Sequence, residues 1–264
     1  MNKTIDYATI NYDELARIIT KAGIILLQNG AETHRVEDTM MRLAKAYGAT
    51  SCDAYATPTL LIVSFKVDRK YNDRLLHNIK RVHMQATNLD KIEKVNALSR
   101  MVVHSPIDID ELEQRLDTID QAKGYGLTIR LLAAFICCFA FGLFYKGTLL
   151  DASVAALIGV VVETTVSLVS TISFSSFFTN MFASFLATIL AHGASMVVPV
   201  DSDIVIISAI MLLVPGLAMT NAIRDSVSGD PVSGMTRLWE ALIVAIAIAA
   251  GSGIALVLIQ KVIV

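Results

Sequence analysis

Apolar residues along this chain follow two patterns. From Asp13 to Gln28 they recur at helical spacing, at Leu15, Ile18, Ile19, Ala22, Ile25 and Leu26, and Asn29-Gly30 then supplies a stop. Thr33 is the expected N-cap of a second helix over His34–Tyr47, with Val36, Met40, Leu43 and Ala44 as its buried stripe and Gly48 at its end. Thr50–Ala56 alternates and Thr59–Val67 is rich in β-formers, with Pro58 between them, which predicts two strands of a hairpin. A third strand is expected over Ile79–His83, a helix from Asn88 through Val103, and an acidic amphipathic helix from Asp108 to about Gln121. These elements predict an α+β domain over residues 1–123.

From Thr128 onward, periodicity gives way to continuous apolar runs. Crossing about 30 Å of hydrocarbon at about 1.5 Å per residue takes roughly 20 residues. Five runs meet that length: 128–145, 149–171, 174–192, 204–221 and 238–260. The expected fold is therefore an α-helical polytopic membrane domain over 124–264, with five transmembrane helices, preceded by a cytoplasmic α+β domain. Cytoplasmic placement follows from the short-loop cations, because Lys123, Arg130, Arg224 and Arg237 fall on the side of the N-terminal domain, against Lys146 and Lys261 opposite. The first run starts too late, and after too polar a stretch, to be a secretory signal peptide.

Composition sharpens this division. The chain is 54% apolar and 17% charged with a net charge of −2, which excludes a disordered protein, a disulfide scaffold and a strongly basic nucleic-acid binder. Residues 1–127 carry 34 of the 46 charged residues, and residues 128–264 carry only 12, so the few in the second half draw the eye. Cys52 is expected in reducing cytosol, and Cys137 and Cys138 are neighbours within one run, so cysteine chemistry is not the theme.

Chemistry in the first half is sparse. His34-x-x-Glu37 places two potential ligands one turn apart, yet a metal site needs three or four, and neither HExxH nor paired CxxC accompanies it. No metal and no cofactor are expected. Glu32, Arg35, Glu37 and Asp38 read as a surface charge network, and neither GxSxG nor GxxxxGK[ST] occurs.

The apolar runs contain more pointed candidates. Glu163 lies near the middle of the second, where an ionised group is costly, so it either carries a proton or substrate or hydrogen-bonds a neighbouring helix. Arg130 reads as an interface anchor, and Asp151 as a headgroup-level residue. Ser176, Asn180, Ser184 and Thr188 form a four-spaced stripe that lines a pathway or joins helices. Ala241, Ala245, Ala249 and Gly253 form a small-residue stripe suited to close packing, against this chain or a second protein. Pro215 and Gly216 interrupt the fourth run, and such breaks build the substrate sites of many transporters. Arg224, Asp225, Arg237 and Glu240 follow, able to pair with one another as ordinary salt bridges or to bind the ends of a carboxylate or zwitterion, with Asn221 to orient it.

This segment, Pro215-Gly216-x4-Asn221-Ala222-x2-Asp225-x3-Gly229-x4-Gly234-x2-Arg237-x2-Glu240-Ala241, resembles the hallmark of the threonine/serine exporter family. The stretch Gly30-Ala-Glu32-Thr-His-Arg35-Val-Glu37, with Gly48 and the Pro58 region, is similar to that family's cytoplasmic domain. The resemblance implies a subunit of a secondary exporter of the cytoplasmic membrane, driven by protons and moving succinate or threonine and serine. Because the chain ends after its fifth run, it resembles the larger subunit of the family's two-chain form, which implies a smaller all-membrane partner resembling YjjB. Glu163, Asp225 and Glu240 are then the acids a proton would visit. Two rivals from other classes are a membrane-anchored hydrolase working through the cluster Glu32–Asp38, and a membrane sensor or assembly scaffold.

Overall fold

The computed structural model describes residues 11–67, 74–83, 87–170 and 175–263. The chain divides into two compact units, Met1–Gly124 with Thr220–Leu238, and Tyr125–Met219 with Trp239–Val264.

In the first unit, α1 (Tyr12–Gln28) and α2 (Thr33–Ala46) lead into an antiparallel sheet of β1 (Ala49–Thr57), β2 (Leu60–Val67) and β3 (Arg74–Arg81), in the order β1-β2-β3. Two helices follow, α3 (Leu89–His104) and α4 (Ile109–Gln121). The alternation in β2 buries Leu61, Val63, Phe65 and Val67, which join Leu15, Ile18, Met40 and Leu43 in one core. Asn88 and Asp108 accept from the first-turn amides of α3 and α4, as N-caps should. Two expectations need correction. The third strand lies over Arg74–Arg81 and not Ile79–His83, because its register with β2 runs from Leu60↔Arg81 to Val67↔Arg74. Glu32, not Thr33, occupies the N-cap of α2, and its side chain makes no capping bond.

The second unit is helical, with α5 (Leu127–Phe144), α6 (Leu149–Ser170), α7 (Ser176–Ser195) and α8 (Ser202–Ile210). Two further helices, α9 (Gly216–Val227) and α10 (Pro231–Ile263), take part in both units. Among the described residues four helices, not five, are long and apolar enough to cross a membrane: α5, α6, α7 and α10. The fourth run divides into nine-residue α8 and twelve-residue α9, with Pro215 immediately before α9. A proline at that point removes an amide donor and blocks helix through the preceding turn. The expected end of the second run at Thr171 and start of the third at Phe174 lie outside the described residues.

Small residues set the close approaches in this unit. A methyl on Gly142 would lie 2.6 Å from the Cα of Ala152, so α5 and α6 touch almost backbone to backbone. On α10 the small residues Ala247, Gly251 and Ala255 are buried at four-residue spacing, and a methyl on Gly251 would run into the Met181 carbonyl and Ser184 hydroxyl of α7. Of the expected stripe only Ala241 is buried. Ala245, Ala249 and Gly253 are exposed, because the packed face lies two residues out of step with them.

Candidate functional site

The first unit brings together the two stretches that carry the family resemblance, and the local chemistry of each explains how. Helix α1 ends in a Schellman turn: Gly30 adopts φ +87°, its amide donates to the Leu27 carbonyl, and the Ala31 amide donates to the Leu26 carbonyl. That turn leaves the carbonyls of Gly30 and Ala31 free to accept. Helix α9 ends in the same way at Gly229 (φ +97°), where the Asp230 amide donates to the Asp225 carbonyl. Asp230 then caps α10, its Oδ1 accepting from the Ser233 amide, and Pro231 takes the first helical position, where a missing N–H costs nothing. Gly234 lets α10 pass close to α9, since a methyl there would sit 2.7 Å from the Ala222 carbonyl. Reversal over so few residues places Arg237 beside Asp225.

Asn221 donates through Nδ2 to the Gly30 carbonyl at 3.0 Å, and Arg237 donates through its guanidinium to the Ala31 carbonyl at 2.6 Å. The Asp225 carboxylate accepts from the Thr33 amide, 3.2 Å away, and so supplies the anion that the unsatisfied N-terminus of α2 requires. Arg237 Nε lies 2.9 Å from Asp225 Oδ2, an ion pair whose alignment falls short of a hydrogen bond. Both side chains are almost fully buried, at 2% and 1% exposure. Arg224 pairs instead with Glu32, and that guanidinium is half exposed.

The charged stretch of α2 is therefore not a simple surface network. Glu32 faces Arg224, and Glu37 reaches β1, accepting from the Ala56 amide at 2.9 Å. Burial holds the Glu37 carboxyl above the usual range, opposed by the Ala56 amide and reinforced by the charges of Asp230 and Asp225. Asp38 makes an ordinary i,i+4 pair with Arg42, while His34 and Arg35 are exposed. The bonds to the Gly30 and Ala31 carbonyls and the Thr33 amide escape any sequence motif, since each uses backbone. The available signal was that both stretches resemble the same family.

The remaining candidates belong to the second unit. Glu163, seven residues from the end of α6, pairs with Arg130 of α5 at 2.5 Å. This gives the acid a partner, and gives Arg130 a role besides anchoring. Asn180 donates to the Ser176 carbonyl of its own helix, and Thr188 donates to the Ser184 carbonyl. Glu240 is partly exposed on α10. Pro215 and Gly216 stand where α8 gives way to α9. Asp151, expected at headgroup level, closes a capping box with Thr148 and accepts from the Asp201 amide at 2.8 Å, so it ties the start of α6 to the start of α8. No group of three or more His, Cys, Asp or Glu side chains suited to a metal occurs among the described residues.

Four helices among the described residues are long and apolar enough to cross a membrane, which suits a multi-pass membrane protein. The chain belongs to the threonine/serine exporter family, ThrE, whose profile matches residues 17–259. It is 24% identical over 245 residues to the threonine/serine exporter of Corynebacterium glutamicum, covering 90% of this chain and 50% of that protein. It is 22% identical over 245 residues to the "Probable succinate transporter subunit YjjP" of Escherichia coli, covering 92% and 93%. It is also 29% identical over 231 residues to the pheromone-regulated membrane protein 10 of Pichia sorbitophila, covering 83% and 22%. The chain thus spans about half the length of the threonine/serine exporters it matches, and nearly all of YjjP. No solved structure matches it.

Proposed function

We propose that this chain is one subunit of a proton-coupled secondary exporter in the cytoplasmic membrane, with its N-terminal domain in the cytoplasm and a smaller all-membrane partner. Its cargo is a small organic acid or hydroxy amino acid, in the class of succinate, threonine and serine. The supporting observation is the match over residues 17–259 to an exporter family, joined to near-complete coverage of a relative named as a succinate transporter subunit. The arginine–aspartate pair suggests how a carboxylate is handled. Arg237 is desolvated and already neutralised by Asp225, so a substrate carboxylate gains the guanidinium by exchanging with Asp225, while Asn221 and Arg224 release the Gly30 and Glu32 contacts. Asp225, Glu163 and Glu240 are the acids through which a proton is coupled to that exchange, and Asn180 and the break at Pro215-Gly216 line the route.

Efflux from vesicles tests this reading. Succinate, threonine and serine are loaded in turn under an imposed pH gradient, with the chain alone and with its partner. Export only when both are present, lost in Asp225→Asn and Arg237→Gln, is the expected result. Full export by the chain alone overturns the two-subunit reading, and unaltered export by both variants overturns the site.

A further inference from the structure

The sheet of the first unit has two unlike faces. On one, Leu61, Val63 and Phe65 of β2 join Ala56 and Leu76 in the core shared with α1 and α2. The other is open, with Asp53 and Tyr55 of β1 and Leu75, His77 and Ile79 of β3 exposed at alternate positions. An antiparallel sheet that keeps one face in water is ordinarily polar there. This one carries an apolar row instead. Tyr55 pairs with Ile62 and Ile62 with Ile79, so three large side chains stand side by side across all three strands. Tyr55 is 45% and Ile79 59% exposed, and Leu75, on the same face of β3, is 63% exposed. An exposed apolar band of this kind marks a contact surface.

The polar groups around the band indicate its partner. Register places Asp53, Ser64 and His77 in the row on one side of it, and Thr57, Leu60 and Arg81 in the row on the other. The carboxylate thus lies on β1, and the imidazole and guanidinium on β3. A two-fold axis running along β2 through Ile62 lays β1 of one copy over β3 of another. Tyr55 then meets Ile79 of the second copy, and Ile62 meets its own counterpart. Asp53 meets His77 and accepts its ring N–H, while the Thr57 hydroxyl accepts from Arg81. Lys66, two rows from Ile62, also meets its counterpart, but there the crossing of about 30° between packed sheets moves the two side chains aside. The face is therefore complementary to itself. An anionic lipid surface fits it less well, because Asp53 would press against like charge.

We propose that this open face docks a second copy of the chain, the two sheets packing face to face about the Tyr55–Ile62–Ile79 row. Its footprint sets the strength of the contact. Strands of eight residues at about 3.4 Å each, three abreast at about 4.8 Å, cover roughly 27 by 14 Å, well under the ~800 Å² per partner of a standard interface. The contact holds together chains already gathered in one membrane and does not by itself dimerise them in dilute solution. It concerns the assembly of copies, and is independent of the cargo and of the smaller partner subunit proposed above.

Oxidative cross-linking of the full chain in proteoliposomes, at a low protein-to-lipid ratio that limits collisions, provides the test. Ile62→Cys is expected to give a covalent dimer well above the wild type, whose native cysteines are Cys52, Cys137 and Cys138. The double variant Tyr55→Cys with Ile79→Cys is expected to do the same, and serves if Ile62→Cys folds poorly. Leu89→Cys, on α3 and 60% exposed, is expected to stay at the wild-type level. Asp53→Arg sets like charge against His77 and Arg81 and should lower the Ile62→Cys dimer several-fold, and adding His77→Asp should restore it. A dimer yield from both row variants no higher than the wild type, or an equal yield from Leu89→Cys, overturns the proposal. So does a yield that ignores Asp53→Arg. A cross-linked product containing a different protein, or a fluorophore at Ile79 quenched by lipid while no dimer forms, gives the face another occupant and overturns it as well.

Discussion

Asp225 and Asn180 are both polar side chains on helices, and they find their partners in opposite ways. Asp225 reaches the Thr33 amide, 192 residues away in sequence, and its counter-ion Arg237 reaches the Ala31 carbonyl across 206 residues. Asn180, Ser184 and Thr188 of α7 bond to carbonyls of their own helix, three or four residues back. The first arrangement is a tertiary cross-link, in which one lost partner strands a buried charge. The second is a local satisfaction that leaves the helix free to pack by shape, as the close approach of Gly251 to Met181 and Ser184 shows. A polar residue in apolar surroundings is therefore informative only once its partner is known.

The largest effect is expected from Arg237→Gln, which leaves Asp225 ionised and buried and should cost roughly 3–5 kcal/mol of stability. Combining it with Asp225→Asn should recover part of that loss, read as the thermal midpoint in detergent. If the single variant changes stability by less than about 1 kcal/mol, the pair is not the cross-link described. Gly234→Val comes next: its side chain meets the Ala222 carbonyl and should cost about 1–3 kcal/mol by forcing α9 and α10 apart. An unaffected midpoint would mean that the turn tolerates separation. The smallest effect belongs to the second unit, where Thr188→Val should cost under about 1 kcal/mol, because only a bond within one helix is lost. A cost as large as that of Arg237→Gln would erase the contrast.

Helix and strand patterns were largely legible along the chain. The periodic stripe of α1, the β-formers of β2 and the caps Asn88 and Asp108 stand where local chemistry put them. Errors arose where a distant group intervened. Thr33 has the side chain of an N-cap, yet that helix end is served by the Asp225 carboxylate. The four-residue spacing of Ala241, Ala245, Ala249 and Gly253 was visible, but the face packed within this chain is that of Ala247, Gly251 and Ala255, which carry the same spacing, so spacing did not say which stripe meets this chain. Five apolar runs of adequate length became four spanning-length helices among the described residues, because a hydropathy count does not register the donor that Pro215 removes.

By itself the sequence determined the two solvents of the chain, most of its helices, and the family to which it belongs, because hydrophobic periodicity, caps and Gly or Pro stops act over a few residues. Only the tertiary structure decided which charges meet. Arg224 was expected to pair within its own segment, with Asp225 or Glu240, and it pairs with Glu32 of the other stretch. Glu163 was an acid without a partner until α5 brought Arg130 to it. Coulomb energy depends on distance through space and on local dielectric, and neither is written in the order of residues along the chain.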